Sequence, residues 1–384
     1  MDVEVTADQE SLRDAVRRWV DKGFGFGRRH ALAKAGGATR EVYAELAELG
    51  LCALVVGEEH GGLGLGAVDA MVVSEELGRG LVNAPYTFAA LMAPRLLASA
   101  PVELQTAWLP RIASGEALVL PALQERASRY QLTHVTTRAV EEVGGAGAQG
   151  GKRGWRLHGV KVVVPAGDEA DAFLVPARIA GADRDVSGIG LFVVERAATQ
   201  VRGYPTQDGA RAADVTLQQS PAVLVLAEAH AVIEDAVDAG IAEQCAESIG
   251  LMDRLVSITV EYMNTRKQFG ATLATFQALR HRMADVKMQL ELGRSMAYYA
   301  SLKLGETVLQ RRRAVSQARV QLGHSMRFVG QQCIQLHGGI ACTDEYIASH
   351  YFKRLTVLEM SLGDTLHHLG EVSSRMQDTA GVFA

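Results

Sequence analysis

The stretch "IAEQCAESIGLMDRLVSITVEYMNTRKQFG", residues 241–270, decides how the chain reads. Its first turns set Glu243 and Glu247 four residues apart, so a helix stacks both carboxylates along one side. Around them stand Ile241, Ala242, Cys245, Ala246 and Ile249, the composition of a buried helix, where glutamate is seldom found. Two carboxylates in such a place need a chemical reason. The same helix runs out at Arg266 and Lys267, followed by Phe269 and Gly270. Cations at a helix C-terminus complement its dipole. A planar guanidinium beside an aromatic ring and a glycine turn also suits a pyrophosphate.

Outward from this stretch, 384 residues predict two or three domains and a large core. Cys52, Cys245, Cys333 and Cys342 are scattered, without a CxxC pair or Cys/His ligand spacing, which predicts reduced thiols, a cytoplasmic compartment and no structural metal. A formal charge of −5 gives no broad attraction to nucleic acid or anionic membrane. The first twenty residues lack a signal-peptide pattern, and no apolar run approaches the roughly 20 residues that span a bilayer.

The pattern along the chain predicts a mainly α protein with a β-barrel middle domain. Residues 1–114 read as an N-terminal helical domain, with apolar residues recurring at three and four in "SLRDAVRRWVDKG", "TREVYAELAELG", "AVDAMVVSEELGRG" and "VELQTAWLPRIASG". Residues 115–227 switch to short β-branched runs between Gly, Pro and Asp, the mark of an antiparallel sheet or barrel. Residues 228–384 return to long helical patterns, predicting a C-terminal four-helix bundle. Within the β segment "GAGAQG" (145–150) fits a dinucleotide fingerprint in form only, because a strand rather than a helix follows it. It reads as a hairpin tip. In "QLHGG" (335–339) the paired glycines serve either as a helix C-cap or as a place where backbone amides approach a ligand.

Taken in order, "RKQFG", "FQALRHRMADV" and "QLHGG" followed by "DEYIASHYFKR" resemble the acyl-CoA dehydrogenase family, as do "LGLCALVVGEEHGGLG" and "WRLHGVKVVV" earlier in the chain. More narrowly, "SRYQLTHVTTRA" and "LHGGIACTDEYIASHYFKRLT" resemble the pimeloyl-CoA dehydrogenase small-subunit type. The resemblance implies an FAD-dependent acyl-CoA dehydrogenase of fatty acid metabolism that forms a trans-2-enoyl-CoA by α-proton abstraction and β-hydride transfer. It implies an electron-transfer flavoprotein as acceptor, and a homotetramer or a heterotetramer with a large subunit. Arg266, Gln268, Phe269, Gln277, Gln335, Gly338 and Gly339 match the segments that bind FAD in the family. An acyl-CoA oxidase and a small subunit with limited activity alone are the alternative readings.

The chain departs from the family where the base is concerned. Relatives commonly carry the carboxylate in a Glu-Gly-Thr stretch near the last helix; here "LEMSLGDTLHH" places Leu362 at that position, ahead of Gly363 and Asp364. A second family location, on the helix before the Arg segment, falls at Gly240. Glu247 is then the preferred base, with Glu243 second, on the same helix face. Asp364 is the third candidate base, two residues past the family site, where phosphate-side or helix-cap duty is the favoured reading. Gln124 and Val163 replace a hydroxyl residue and a Trp that lie by the flavin in relatives, so the flavin contacts differ. Arg211 reads as a surface arginine, with contact to a distal substrate carboxylate as the alternative, and the acyl group is left open.

Overall fold

A computed structural model describes residues 5–142 and 154–380, so the glycine-rich 145–150 stretch lies outside the described residues. The chain begins with α1 (Ala7–Gly23), α2 (Phe26–Lys34), α3 (Arg40–Glu48), α4 (Ala67–Arg79), α5 (Ala93–Leu97) and α6 (Val102–Ala113). Strands β1 (Val119–Pro121), β2 (Arg138–Glu142), β3 (Gly154–Pro165), β4 (Ala172–Arg178), β5 (Ile189–Glu195), β6 (Gln200–Pro205) and β7 (Arg211–Leu226) follow. Then come α7 (His230–Thr265), a hairpin of β8 (Lys267–Gln268) and β9 (Ala271–Thr272), α8 (Gln277–Leu302), α9 (Val308–His337), α10 (Ile347–Met360) and α11 (Thr365–Ala380). None of the described helices is long and apolar enough to cross a membrane.

Packing groups these elements into two compact units. One holds residues 1–31, 67–82 and 241–384, the other 32–66 and 83–240. This grouping differs from the expected 1–114, 115–227 and 228–384, which follow the change of secondary structure along the chain. The reason lies in α4. Nine of its residues, Ala70 to Gly78, are buried without a break, so it needs neighbours on several sides and packs against α1 and α8.

In the second unit the strands close a small barrel. β4 pairs with β5, β5 with β7, β7 with β3, β3 with β2, and β2 returns to β4, while β1 extends β4 and β6 pairs with β7. The β1–β4 and β2–β4 pairs are parallel and the others antiparallel, so the sheet is mixed rather than wholly antiparallel. Among the described residues between 130 and 142, those of β2, Arg138–Glu142, are paired in the sheet. The preceding loop is pinned from inside, because Lys161 of β3, fully buried, donates to Glu125 Oε1 at 2.6 Å. Thr137 Oγ1 and the Thr136 and Thr137 amides donate to the same carboxylate. Burial alone would raise Glu125, but Lys161 and these donors outweigh it and bring the carboxyl down to about 2. Gln124 offers its carbonyl to the Val162 amide at 2.8 Å, and the next residue, Val163, adopts φ 54 at a bulge of β3. A β-branched residue in the left-handed region is an outlier that the surrounding structure must hold in place.

In the first unit α8, α10 and α11 each pack on α9. α1 starts with a capping box, Gln9 N donating to Thr6 Oγ1 and Thr6 N to Gln9 Oε1. α7 is buried on every face from residue 236 to 252, the pattern of a helix sunk in the core. Its approach to α4 is set by two glycines. A Cβ built on Gly78 would stand 2.1 Å from the Glu247 carbonyl oxygen, and one on Gly250 1.8 Å from that of Glu75. The backbones touch where both side chains are missing.

Gly250→Ala therefore drives a methyl into a carbonyl that has no free end to move. Overpacking of this kind costs about 1–3 kcal/mol and outweighs the ~1 kcal/mol that Ala gains over Gly in a helix. Gly370 on α11, with nothing within 4 Å of its Cβ position, is the control. Urea denaturation is expected to show Gly250→Ala destabilised and Gly370→Ala unchanged or stabilised by up to ~1 kcal/mol.

Candidate functional site

The end of α7, the β8–β9 hairpin and the end of α9 enclose a cavity of about 580 Å³. Arg266, Gln268, Gln335, Gly338 and Gly339 line it, so five of the residues expected to hold a cofactor come together. Phe269 and Gln277 are not among the lining residues. Phe269 sits at the hairpin turn with φ 52, 93% exposed, its ring edge-on to Phe276 at 6.3 Å. Gln277 opens α8 and is exposed.

The chemistry of the lining suits a phosphate-bearing ligand. Arg266, Gln268 and Gln335 bring a cation and two amides. Gly338, at φ 67, ends α9, and Cβ atoms on Gly338 or Gly339 would meet nothing within 4 Å. That leaves main chain open to a ligand. Sequence reading passed over His337 and Tyr262, which also line the cavity. The His337 ring, 3% exposed, lies 4.7 Å from that of Tyr262 and 5.3 Å from that of Tyr346. Its Nδ1 donates to the Cys333 carbonyl at 2.8 Å, while Nε2 has no hydrogen-bond partner. Burial lowers this imidazole from its ordinary value, so it stays neutral with Nε2 as an acceptor. Nothing in the spacing of "QLHGG" distinguishes this histidine from a core one.

The two α7 carboxylates are both satisfied. Glu247, 7% exposed, faces Arg354 of α10 in a two-pronged bond, Nε to Oε1 at 2.7 Å and Nη2 to Oε2 at 3.1 Å. Glu243, 2% exposed, accepts from Ser74 Oγ of α4 at 2.8 Å. Neither lines the 580 Å³ cavity. The guanidinium fork takes up a lone pair on each Glu247 oxygen and stabilises the carboxylate as an anion. Arg354 and Ser74, the partners, lie 107 and 169 residues from them in sequence, so no local motif announces either pair. Cys245 between them is a buried thiol pushed up to about 11 by burial, and it stays protonated.

The loop at residues 361–364, where the family resemblance led to the expectation of a carboxylate, keeps a defined shape around Leu362. Leu362 has φ 55 and Gly363 φ 117. Arg319 of α9, 1% exposed, donates to three carbonyls beneath it: Leu358, Ser361 at 2.6 Å and Gly363 at 3.2 Å. His368 supports the loop, its Nε2 3.3 Å from the Leu362 carbonyl. Burial first, then Arg319, presses this imidazole down to about 2. Asp364 caps α11, accepting from the His367 amide at 2.8 Å.

Arg211 is no simple surface arginine. Its Nε donates to Asp168 Oδ2 at 2.8 Å and its Nη1 to the Gly36 carbonyl. His30, Asp344 and His350 come within reach of one another, a grouping that sequence spacing did not reveal. In that group His350 is fully used: Nδ1 accepts from Arg29 at 2.7 Å and Nε2 donates to the Asp344 carbonyl at 2.8 Å. Neither nitrogen has a lone pair left for a cation.

Comparison with known proteins matches these features to one group. The model for the acyl-CoA dehydrogenase N-terminal domain matches residues 6–116, and that for the acyl-CoA dehydrogenase C-terminal domain matches residues 231–377. Acyl-CoA dehydrogenase IpdE2 of Mycobacterium tuberculosis is 27% identical over 349 residues, covering 90% of each chain. Among solved structures, the Tcur3481-Tcur3483 steroid ACAD has a TM-score of 0.85 at 25% identity, covering 97% of this chain and 99% of that one. A chain of the ChsE4-ChsE5 complex from Mycobacterium tuberculosis has a TM-score of 0.85 at 24% identity, covering 98% and 99%. With both its terminal domains matched and its fold shared throughout, the chain belongs to the acyl-CoA dehydrogenase family.

Proposed function

We propose that this chain binds FAD and oxidises acyl-CoA thioesters to trans-2-enoyl-CoA as one subunit beside a second, homologous chain, which brings the proton-abstracting carboxylate. The observation that carries this reading is the Glu247–Arg354 fork, found together with Leu362 at the family's carboxylate position. In an α-proton abstraction the base must be free at the moment of transfer, and both Glu247 oxygens are engaged. Glu247 then serves to anchor Arg354 between α7 and α10. Assembly with a companion is supported by the resemblance to a small-subunit type. The solved ChsE4-ChsE5 neighbour, a complex of two differently named chains, speaks at 24% identity for the fold alone.

FAD, when bound, supplies the acceptor for the β-hydride. The cavity fits its pyrophosphate and adenosine half. Arg266 sets a cation there with amide donors from Gln268 and Gln335, Gly338 and Gly339 let main chain approach the phosphates, and His337 Nε2 offers an acceptor that the protein leaves unfilled. Electrons then pass to an electron-transfer flavoprotein.

Three outcomes test this reading. Purified alone, the chain is expected to bind FAD and to bleach slowly with acyl-CoA, and Glu247→Gln to leave that rate unchanged. Fast bleaching by the chain alone that Glu247→Gln lowers by about 10²–10⁴-fold, the worth of a general base, would instead make Glu247 the base. Arg266→Ala is expected to weaken FAD about tenfold or more by fluorescence titration, since a charge-assisted bond is worth about 1.5–3 kcal/mol. Arg354→Met should destabilise the fold by about 3–5 kcal/mol through a stranded Glu247, and the double change with Glu247→Gln by clearly less, as read from denaturation in a double-mutant cycle.

A further inference from the structure

Another buried carboxylate stands beside the α4–α7 crossing, and one of its oxygens lacks a hydrogen bond. Glu75 of α4, 7% exposed, borders a cavity of about 150 Å³. The charged and titratable groups facing it are Arg13 and Arg17 of α1, Glu76 and Arg79 of α4, Asp253 of α7, and Arg294 and Tyr298 of α8. The arginines spend their short bonds elsewhere. Arg17 and Arg79 each reach Glu76 at 2.6 Å, Arg13 reaches Glu10 at 2.7 Å, and Arg294 reaches Asp253 at 3.0 Å. For Glu75 there remain Arg13, 3.5 Å from Oε2, and Arg294, 4.0 Å from Oε1. Its Oε1 has no hydrogen-bond partner.

A carboxylate so enclosed resists ionisation, because it has lost water without gaining hydrogen bonds. Burial raises it to about 7, against the opposing pull of Arg294 and then Arg13. The backbone around it has no slack, since its own carbonyl is the atom against which Gly250 of α7 rests. We propose that Glu75 is a proton-operated joint of this helix cluster: protonated, it lets α1, α4, α7 and α8 close over the cavity, and ionised, it admits water between them. The joint lies one turn along α4 from Gly78, whose contact is the Glu247 carbonyl. Its state thereby reaches the helix segment that carries Glu243 and Glu247.

The sign follows from proton binding. Between the unfolded value near 4.5 and the folded value near 7, the native chain holds the Glu75 proton and the unfolded chain does not. Stability from this group is complete below about 4.5 and is lost as pH rises through 7. The test compares the full FAD-loaded chain with Glu75→Gln from pH 5 to 8.5. The melting temperatures are expected to coincide at pH 5 and to diverge by several degrees above pH 7, with the variant the more stable. Difference infrared spectra of the parent should show a protonated-carboxyl band that disappears near pH 7 and is missing from the variant, and Arg294→Met should move that midpoint upward. Parallel melting curves across the whole range, or a parent without that band at pH 6, would overturn the proposal. The infrared reading needs only the parent chain, so a variant that fails to fold leaves the outcome decided.

Discussion

The contact of α4 with α7 through Gly78 and Gly250 is the constraint from which the first unit's chemistry follows. With no side chain at either position, the two backbones come within van der Waals reach of each other's carbonyls. Ser74 then lies close enough to serve Glu243 directly. The same closeness shuts out water, so every carboxylate nearby must find its partner within the protein. Glu247 finds one on α10 and Glu76 finds two, on α1 and α4. Glu75 is left over. A helix core tolerates acidic residues here because a tight crossing supplies neighbours at short range, and the supply is uneven.

Much of the fold was legible because its signals are local. The four N-terminal helical runs, the switch to β-branched strands and the long C-terminal helices all carry their period in the sequence. What escaped was set by partners distant in the chain. The grouping of α1 and α4 with the C-terminal helices depends on how many sides of α4 are covered, which an apolar run such as "AVDAMVVSEEL" does not disclose. The π-helical turn Thr87–Met92 and the short helix after it also went unread, since an apolar stretch broken by Pro94 has no clear period. The parallel β1–β4 and β2–β4 pairs arise from barrel closure, a property of the whole ring.

The candidate site divides in the same way. Arg266, Gln268, Gln335, Gly338 and Gly339 were singled out from two short motifs, each of which sits at a helix end. Their meeting in one cavity is tertiary. Phe269 shares a motif with them yet points into solvent, and His337 joins them although its neighbours in sequence say nothing of a ligand. For Glu247 the position and the burial were legible in the helix pattern, while Arg354, its partner, lies more than a hundred residues away.

The Arg319 clamp beneath residues 361–364 holds the carbonyl oxygens of Leu358, Ser361 and Gly363. Main-chain atoms are common to all amino acids, so these bonds make no use of the Leu362 side chain, while its φ of 55 limits which residues suit the position. A change of side chain at 362 that tolerates this backbone conformation would therefore leave the three-carbonyl grip of Arg319 intact.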